Sequence, residues 1–376
     1  MSSRRISIRL LCLSFPMVLL VSACAEPASS AVEPTALASP SQLFQPAQPS
    51  SAAPSSTPMS TETSEILTAE PENNPVDVMD LMFPTPAAQG TPNRHLLFYQ
   101  PPLALGPFDH FYFSQPVGRA DNSLPEQDYL YGYLFPETNK VHTGIDIQND
   151  LRTQVVAAAP GRVIWAGFGL ANGDNQDESD PYGLAVVVRH DFGYGKYRLS
   201  TVYAHLLKTY VVVGSKVKTG DLLGEVGMTG FTTGPHLHFE VRLEDGENIC
   251  LRNPELWIAP LVDNGLLVGQ FRNSYGWYLP GQEIYVKSKA TGKIIKHLTY
   301  ARGVIQSDDY YKENFAFTNL PAGEYSVYTF QYGRRFETQV NILPGAVTYV
   351  SFKYGKGFED TPPPAPDPAS WASFLR

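Results

Sequence analysis

From Val155 to Leu243 the apolar residues come in short runs, each closed by a glycine- or proline-marked turn. Val155–Ala159, Arg162–Ala166, Leu184–His190, Leu199–Ala204 and Leu237–Leu243 are five to seven residues long, the length of strands rather than helices. No long amphipathic segment interrupts them. Turns at Pro160-Gly161, Phe192-Gly193, Thr219-Gly220 and Thr233-Gly234 leave no room for helical crossovers, so an antiparallel all-β architecture is expected over residues 94–260. The same grammar continues at Gly269–Phe271, Glu283–Lys287, Phe315–Phe317, Tyr325–Phe330 and Val347–Phe352, which predicts a second, smaller β-sandwich over 265–355. Charged residues make up only 17% of the chain, against an average of about 25%, which excludes a coiled coil.

The two ends differ from this. Arg4, Arg5 and Arg9 precede an apolar run from Leu10 to Val21, the pattern of a signal peptide over residues 1–23. A run of about 12 residues is too short to span a bilayer, which takes roughly 20. Val21-Ser22-Ala23-Cys24 resembles a bacterial lipobox, which implies a lipid on Cys24 and a chain tethered outside the cytosol. Residues 24–93 then read as a disordered linker: Ala25–Pro92 holds 12 prolines, 8 acidic residues and no lysine or arginine. Such a segment buries too little apolar surface to offset its conformational entropy. A tether of 68 residues reaches on the order of 40 to 50 Å as a coil. The tail, 356–376, is expected to be disordered too.

With 28 basic and 37 acidic residues the net charge is -9, so no basic field points to nucleic acid as a partner. Of three cysteines, Cys12 goes with the signal and Cys24 takes lipid. Cys250 alone remains, and it is expected to pack rather than pair.

Four of the eight histidines fall into three compact patterns. In His142-Thr143-Gly144-Ile145-Asp146, alternation about Ile145 and Ile147 buries the isoleucines on one face and turns Asp146 to the other. His205 ends the run Tyr203-Ala204-His205-Leu206. In Gly234-Pro235-His236-Leu237-His238-Phe239-Glu240, His236 and His238 share one face while Leu237 and Phe239 enter the core. Imidazoles and a carboxylate gathered on one face suit Zn²⁺. Four imidazoles and a carboxylate exceed the three protein ligands of a catalytic zinc, so some of these residues have other work. No H-E-x-x-H motif is present to supply a glutamate base.

These motifs, with Val155-Val156-Ala157-Ala158-Ala159-Pro160-Gly161-Arg162-Val163, Val217-Lys218-Thr219-Gly220-Asp221-Leu222-Leu223-Gly224 and Gly227-Met228-Thr229-Gly230-Phe231-Thr232-Thr233-Gly234, resemble the lysostaphin-type, LytM-like zinc metallopeptidases. The likeness runs over 141–241. It implies an antiparallel β-sandwich of the duplicated hybrid type, one Zn²⁺ per chain held by His142, Asp146 and His238, and catalytic roles for His205 and His236. It implies hydrolysis of amide bonds in peptidoglycan cross-bridges or stem peptides by a protein anchored at the envelope. Phe317-Thr318-Asn319-Leu320-Pro321-Ala322-Gly323-Glu324-Tyr325 resembles the closing hairpin of carboxypeptidase-regulatory-like, transthyretin-like modules. That module is expected to be a spacer or a wall-binding domain, removable without loss of peptidase activity.

Two other readings stay open. One is a non-catalytic peptidoglycan-binding or hydrolase-activating factor. The other is a phosphotransfer or lipoyl-like carrier, suggested by Val217-Lys218-Thr219-Gly220-Asp221, although such a domain has no place for the histidine set. The loop from Gly167 to Tyr182 is enlarged and acidic, with Asp174, Asp177, Glu178 and Asp180; it lacks the spacing of an EF-hand and is expected to be a solvated loop. His190, ending a strand, is expected to be structural, while His95, His110 and His297, outside the motifs, are expected to be unremarkable. Tyr129, Tyr131 and Tyr133 are expected to pack rather than line a groove. Residues 94–140 either cover the groove or extend the sandwich. The bond cleaved, the envelope type, the ligand of the C-terminal module and the oligomeric state are not legible.

Overall fold

The computed structural model describes residues 98–364, apart from 107, 118–124, 126–128, 137 and 247. Cys24, His95, the signal, the linker and the tail beyond 364 lie outside the described residues. What is described is all-β, with a 3-10 turn at Pro254–Leu256. Among the described residues no helix is long and apolar enough to cross a membrane.

The larger sheet runs Asn248–Arg252, His236–Asp245, Tyr197–Ala204, Ala185–Tyr194, Gly161–Gly167 and Lys216–Val217, and Ile145–Gln148 pairs with the start of His236–Asp245. Gln154–Val156, Leu222–Val226 and Leu206–Thr209 form a three-stranded sheet. Every pair in both sheets is antiparallel, as the turn spacing predicts. The register of Ile145–Gln148 sets Ile147 opposite Leu237 and Ile145 opposite Phe239, and all four are fully buried. A slip by one residue would exchange the faces, so this apolar quartet fixes which way Asp146 and His238 point.

The C-terminal strands build two further four-stranded sheets: Phe315–Pro321, Asn264–Arg272, Val347–Lys353 and Gly357–Glu359 in one, and Ile294–Leu298, Glu283–Ser288, Gly323–Gln331 and Arg334–Ile342 in the other. They enclose Phe271, Phe315, Phe317 and Phe352. In this sandwich, for which the sequence predicts no strand direction, Asn264–Arg272 runs parallel to Val347–Lys353. The two are neighbours in space but 74 residues apart in sequence, with the other sheet built between them, so no short turn imposes antiparallel pairing.

This sandwich is not a detached bead. Along Asn264–Arg272, Leu267 and Phe271 face the sandwich core, whereas Val268 joins the core that contains Tyr203, Leu237 and Phe239. Tyr300, Tyr311 and Ala316 enter that same core. Residues 98–117 also extend the packing: Phe113 bridges to Ile258 and Val117 to Val155. His110, expected to be unremarkable, is buried and sits 3.2 Å from the carboxylate of Asp308.

Candidate metal centre

Asp146 and His238 are direct cross-strand partners, so their side chains leave the sheet on one face. His142 arrives from the turn after Lys140–Val141. That turn needs Gly144, because a Cβ there would lie 2.3 Å from the Phe239 carbonyl oxygen. On the other flank His238 pairs with Ala204, which puts His205 at the end of its strand beside the same spot. His205 has a left-handed backbone, φ 59°.

The three sequence-expected ligands converge. His142 Nε2 lies 3.1 Å from Asp146 Oδ1 and 3.0 Å from His238 Nδ1, and His238 Nδ1 lies 2.9 Å from Asp146 Oδ1. Among the described residues this is the group of acidic, histidine or cysteine side chains whose donor atoms gather closely enough to hold a metal.

The outer nitrogens show what the inner ones offer. His142 Nδ1 is 3.1 Å from the Leu130 carbonyl oxygen and His238 Nε2 is 3.2 Å from Glu240 Oε1. Both partners only accept, so in the neutral rings that a metal requires each outer nitrogen carries the proton and each inner nitrogen presents a lone pair. Two lone pairs and a carboxylate then face one another at about 3 Å, an arrangement that is repulsive without a cation. Burial works against charging Asp146, yet His142 and His238 hold its carboxyl well below the usual range. Without a metal a proton meets that demand: burial opposes a charge on His238, but Asp146 and Glu240 outweigh it and raise the imidazole to about 9, so Nδ1 donates to Asp146 until a metal displaces its proton. A tetrahedral Zn²⁺ with bonds of about 2.0 Å asks for ligand atoms about 3.3 Å apart, close to the triangle present. The donor set therefore fits zinc in both chemistry and spacing.

His205 and His236 stand alongside. His205 Nδ1 donates to the Thr229 carbonyl (2.8 Å) and His236 Nδ1 to that of Gly234 (2.9 Å), so both turn Nε2 free of its proton. Their ring centroids are 4.7 Å apart, and His236 Nε2 is 3.5 Å from Asp146 Oδ2. Burial pushes His205 down to about 3, aided by His238 and His236, and also lowers His236. Both are neutral at pH 7 and available as proton acceptors.

Beneath the centre lies a residue to which sequence reasoning assigned no role. Glu240 is fully buried and accepts from Thr143 Oγ1 (2.5 Å), Tyr182 Oη (2.9 Å), His238 Nε2 (3.2 Å) and Arg242 Nε (2.7 Å). The signal was present in the strand period, since Glu240 follows His238 by two and must share its face. Tyr182, at the end of the acidic loop, packs edge-on to His238 with centroids 5.9 Å apart.

The remaining expectations fall away from the site. Asp180 is buried and accepts the backbone N–H groups of Ala171 and Tyr182, so it organises the loop, while Asp174, Asp177 and Glu178 are exposed or half-exposed at its surface. His190 lies between Pro160 O and Thr201 Oγ1, and burial lowers it to about 4. Cys250 is buried. Tyr129 and Tyr133 pack against Phe135, and Tyr131 against Tyr300.

An all-β scaffold with an inward-facing His, His and Asp triangle flanked by two neutral histidines defines a candidate metallohydrolase centre. Residues 140–250 match Peptidase family M23, and this part of the chain is a peptidase M23 domain. The chain is 35% identical over 123 residues to the DD-carboxypeptidase/endopeptidase Mpg of Neisseria meningitidis serogroup B, covering 32% of this chain and 25% of that protein. It is 32% identical over 130 residues to lysostaphin of Staphylococcus simulans (34% of this chain, 24% of that one). Its identity to the glycyl-glycine endopeptidase ALE-1 of Staphylococcus capitis is 33% over 130 residues (34% and 32%). The chain thus spans about a quarter to a third of the length of these curated relatives. Among solved structures, the lysostaphin catalytic domain from Staphylococcus simulans is 28% identical, covering 32% of this chain and 82% of that one at a TM-score of 0.27. A zinc-containing peptidase from Vibrio cholerae is 28% identical, covering 35% and 36% at a TM-score of 0.28.

Proposed function

We propose that this chain is a zinc-dependent endopeptidase that hydrolyses amide bonds in peptidoglycan cross-bridges or stem peptides, working outside the cytosol from a lipid anchor on Cys24. The observation that carries the reading is the triangle of His142, Asp146 and His238, whose donor atoms converge to within about 3 Å of one another. These three hold the metal, one per chain. The chemistry a bound zinc brings is Lewis acidity toward the scissile carbonyl and a lowered pKa for water.

The chain's own groups do the rest. His205 and His236, neutral and with Nε2 open, orient the attacking water and take its proton. Once protonated, either imidazolium donates to the developing oxyanion and then to the leaving amine. Glu240 keeps His238 in the tautomer that turns Nδ1 inward, and the Leu130 carbonyl does the same for His142 Nε2. The anchor and the boundaries at 1–23, 24–93, 94–260, 265–355 and 356–376 rest on sequence pattern. Radiolabelled fatty acid incorporated into the wild type and lost in Cys24→Ser is the expected sign of the anchor.

Metal analysis of the mature chain, run beside digestion of purified peptidoglycan with products read by mass spectrometry, tests the activity. About one zinc per chain and newly released amino termini are expected, with both abolished in His238→Ala. A protein that takes up no zinc and stimulates another hydrolase would replace this reading with the regulatory one.

A further inference from the structure

We propose that the C-terminal sandwich is a working part of the metal centre, residues 300–309 of its 299–314 connection holding in place the backbone that orients His142. The inference rests on the zinc reading above and extends it to a region that has no donor cluster of its own. His142 is cradled by residues 130–133. Its Nδ1 donates to Leu130 O, its backbone N–H donates to Tyr133 O (2.8 Å), and its carbonyl accepts from Gly132 N (3.0 Å). The far side of that cradle is gripped by the C-terminal sandwich. Ala301 N donates to Gly132 O (2.8 Å), while Tyr131 Oη donates to Gln306 O (2.9 Å) and accepts from Gln306 N (3.0 Å).

The fit is close. Tyr131 is 2% exposed and meets Tyr300 edge-on at 5.3 Å. Gly132, at φ +80°, leaves no space for a side chain, since a Cβ would lie 2.7 Å from the Tyr300 ring. Gly303 touches Val141, the residue before His142, where a Cβ would come within 2.8 Å of Cγ2.

The connection is itself braced against the peptidase sheet. Gln306 Oε1 accepts Leu251 N (2.7 Å), Arg252 pairs with Asp309 (2.9 Å), and Asn253 Nδ2 donates to Tyr300 Oη (2.8 Å). Hydrogen bonds from the sheet to residues 300–309, and from these to Tyr131 and Gly132, therefore tie down the backbone that presents the Leu130 carbonyl to the imidazole. Groups that orient a ligand in this way typically change metal affinity by about 10- to 100-fold. Here the sandwich acts one step further out, as a positioning element, so a smaller effect is expected.

The test uses the full mature chain and measures zinc affinity by competition with a chromophoric chelator, with steady-state cleavage of a soluble peptidoglycan peptide as a second readout. Tyr131→Phe keeps the ring and removes both bonds to Gln306. It should weaken zinc binding about three- to tenfold and lower kcat with little change in KM. Tyr311→Phe is the control. It breaks the bond from Tyr311 Oη to Asp109 (2.5 Å) in the same interface, away from His142, and should lower melting temperature without changing zinc affinity. If Tyr131→Phe does not fold, Gln306→Ala probes the route from the other end by freeing Leu251 N. Unchanged affinity in Tyr131→Phe, or an equal loss in both tyrosine variants, would overturn the inference while leaving the zinc reading intact. A wild type that binds no zinc would remove both.

Discussion

At the residue scale the division of labour among the five motif residues has separable signatures. On the proposed reading His142 and His238 hold the metal, so their substitution should remove zinc, whereas His236→Ala should keep zinc and lose about 10²- to 10⁴-fold in kcat. For His205 the better probe is His205→Asn, because asparagine tolerates the left-handed backbone at φ 59° that alanine resists. Metal analysis beside peptide cleavage separates the two groups, and a His236 variant that lost its zinc would refute the assignment. Glu240 makes a sharper case. Against the pull of burial, Arg242 and His238 keep its carboxyl strongly depressed. Replacing it with glutamine turns an amide N–H₂ toward donors and leaves Arg242, itself largely buried, without its counter-charge. We expect about a 10- to 100-fold loss in zinc affinity and about 3–5 kcal/mol less stability in the metal-free protein, measured by chelator competition and urea unfolding.

At the scale of elements, the local code was readable and the pairing was not. The short runs marked by glycine correspond to Gln154–Val156, Gly161–Gly167, Ala185–Tyr194, Tyr197–Ala204 and His236–Asp245, with ends shifted by a few residues. Alternation correctly assigned Ile145, Ile147, Leu237 and Phe239 to the core. That Asp146 lies opposite His238, 92 residues later, follows from no local pattern; it is decided by which apolar faces fit together. Short edge strands such as Lys216–Val217 escape detection because two residues carry no period. The turn joining His142 to Asp146 gives a test at this scale. Gly144→Ala would press a methyl into the Phe239 carbonyl and part the two strands, so we expect about 1–3 kcal/mol of destabilisation and weaker zinc binding. A thermal melt matching that of the wild type would show that the turn has more room than the structure gives it.

At the scale of the whole molecule, the interface between sandwich and peptidase sheet holds ionisable groups that burial has shifted. Glu313 is pushed up to about 8, by burial first and by Asp308 next. Because its folded pKa lies above the ordinary 4.5, its contribution is complete below that pH and is lost as pH rises through about 8. Glu313→Gln does not titrate, so its stability relative to wild type should improve from pH 5 to about pH 8 and level off above that, read by denaturant unfolding. A difference independent of pH would contradict the burial assignment. His110 shares the sign: burial lowers it, Asp308 more than compensates, and the pairing is lost as pH rises past the raised value. His190 has the opposite sign, since burial lowers it to about 4 and the stability of its neutral form is lost as pH falls from 6.5 through that value.

Sequence alone determined the β architecture, the shared face of His236 and His238, the turn of Asp146 away from its flanking isoleucines and the donor chemistry that suits zinc. These follow from a period of two and from what imidazole and carboxylate can bind, both local properties. Only the tertiary structure decided that Glu240 anchors His238, that a backbone carbonyl anchors His142, and that the C-terminal sandwich packs into the peptidase core instead of hanging from it as a spacer. The last of these depends on close approach between residues up to 202 positions apart, such as Tyr311 and Asp109, and no pattern along the chain records which apolar surfaces will meet.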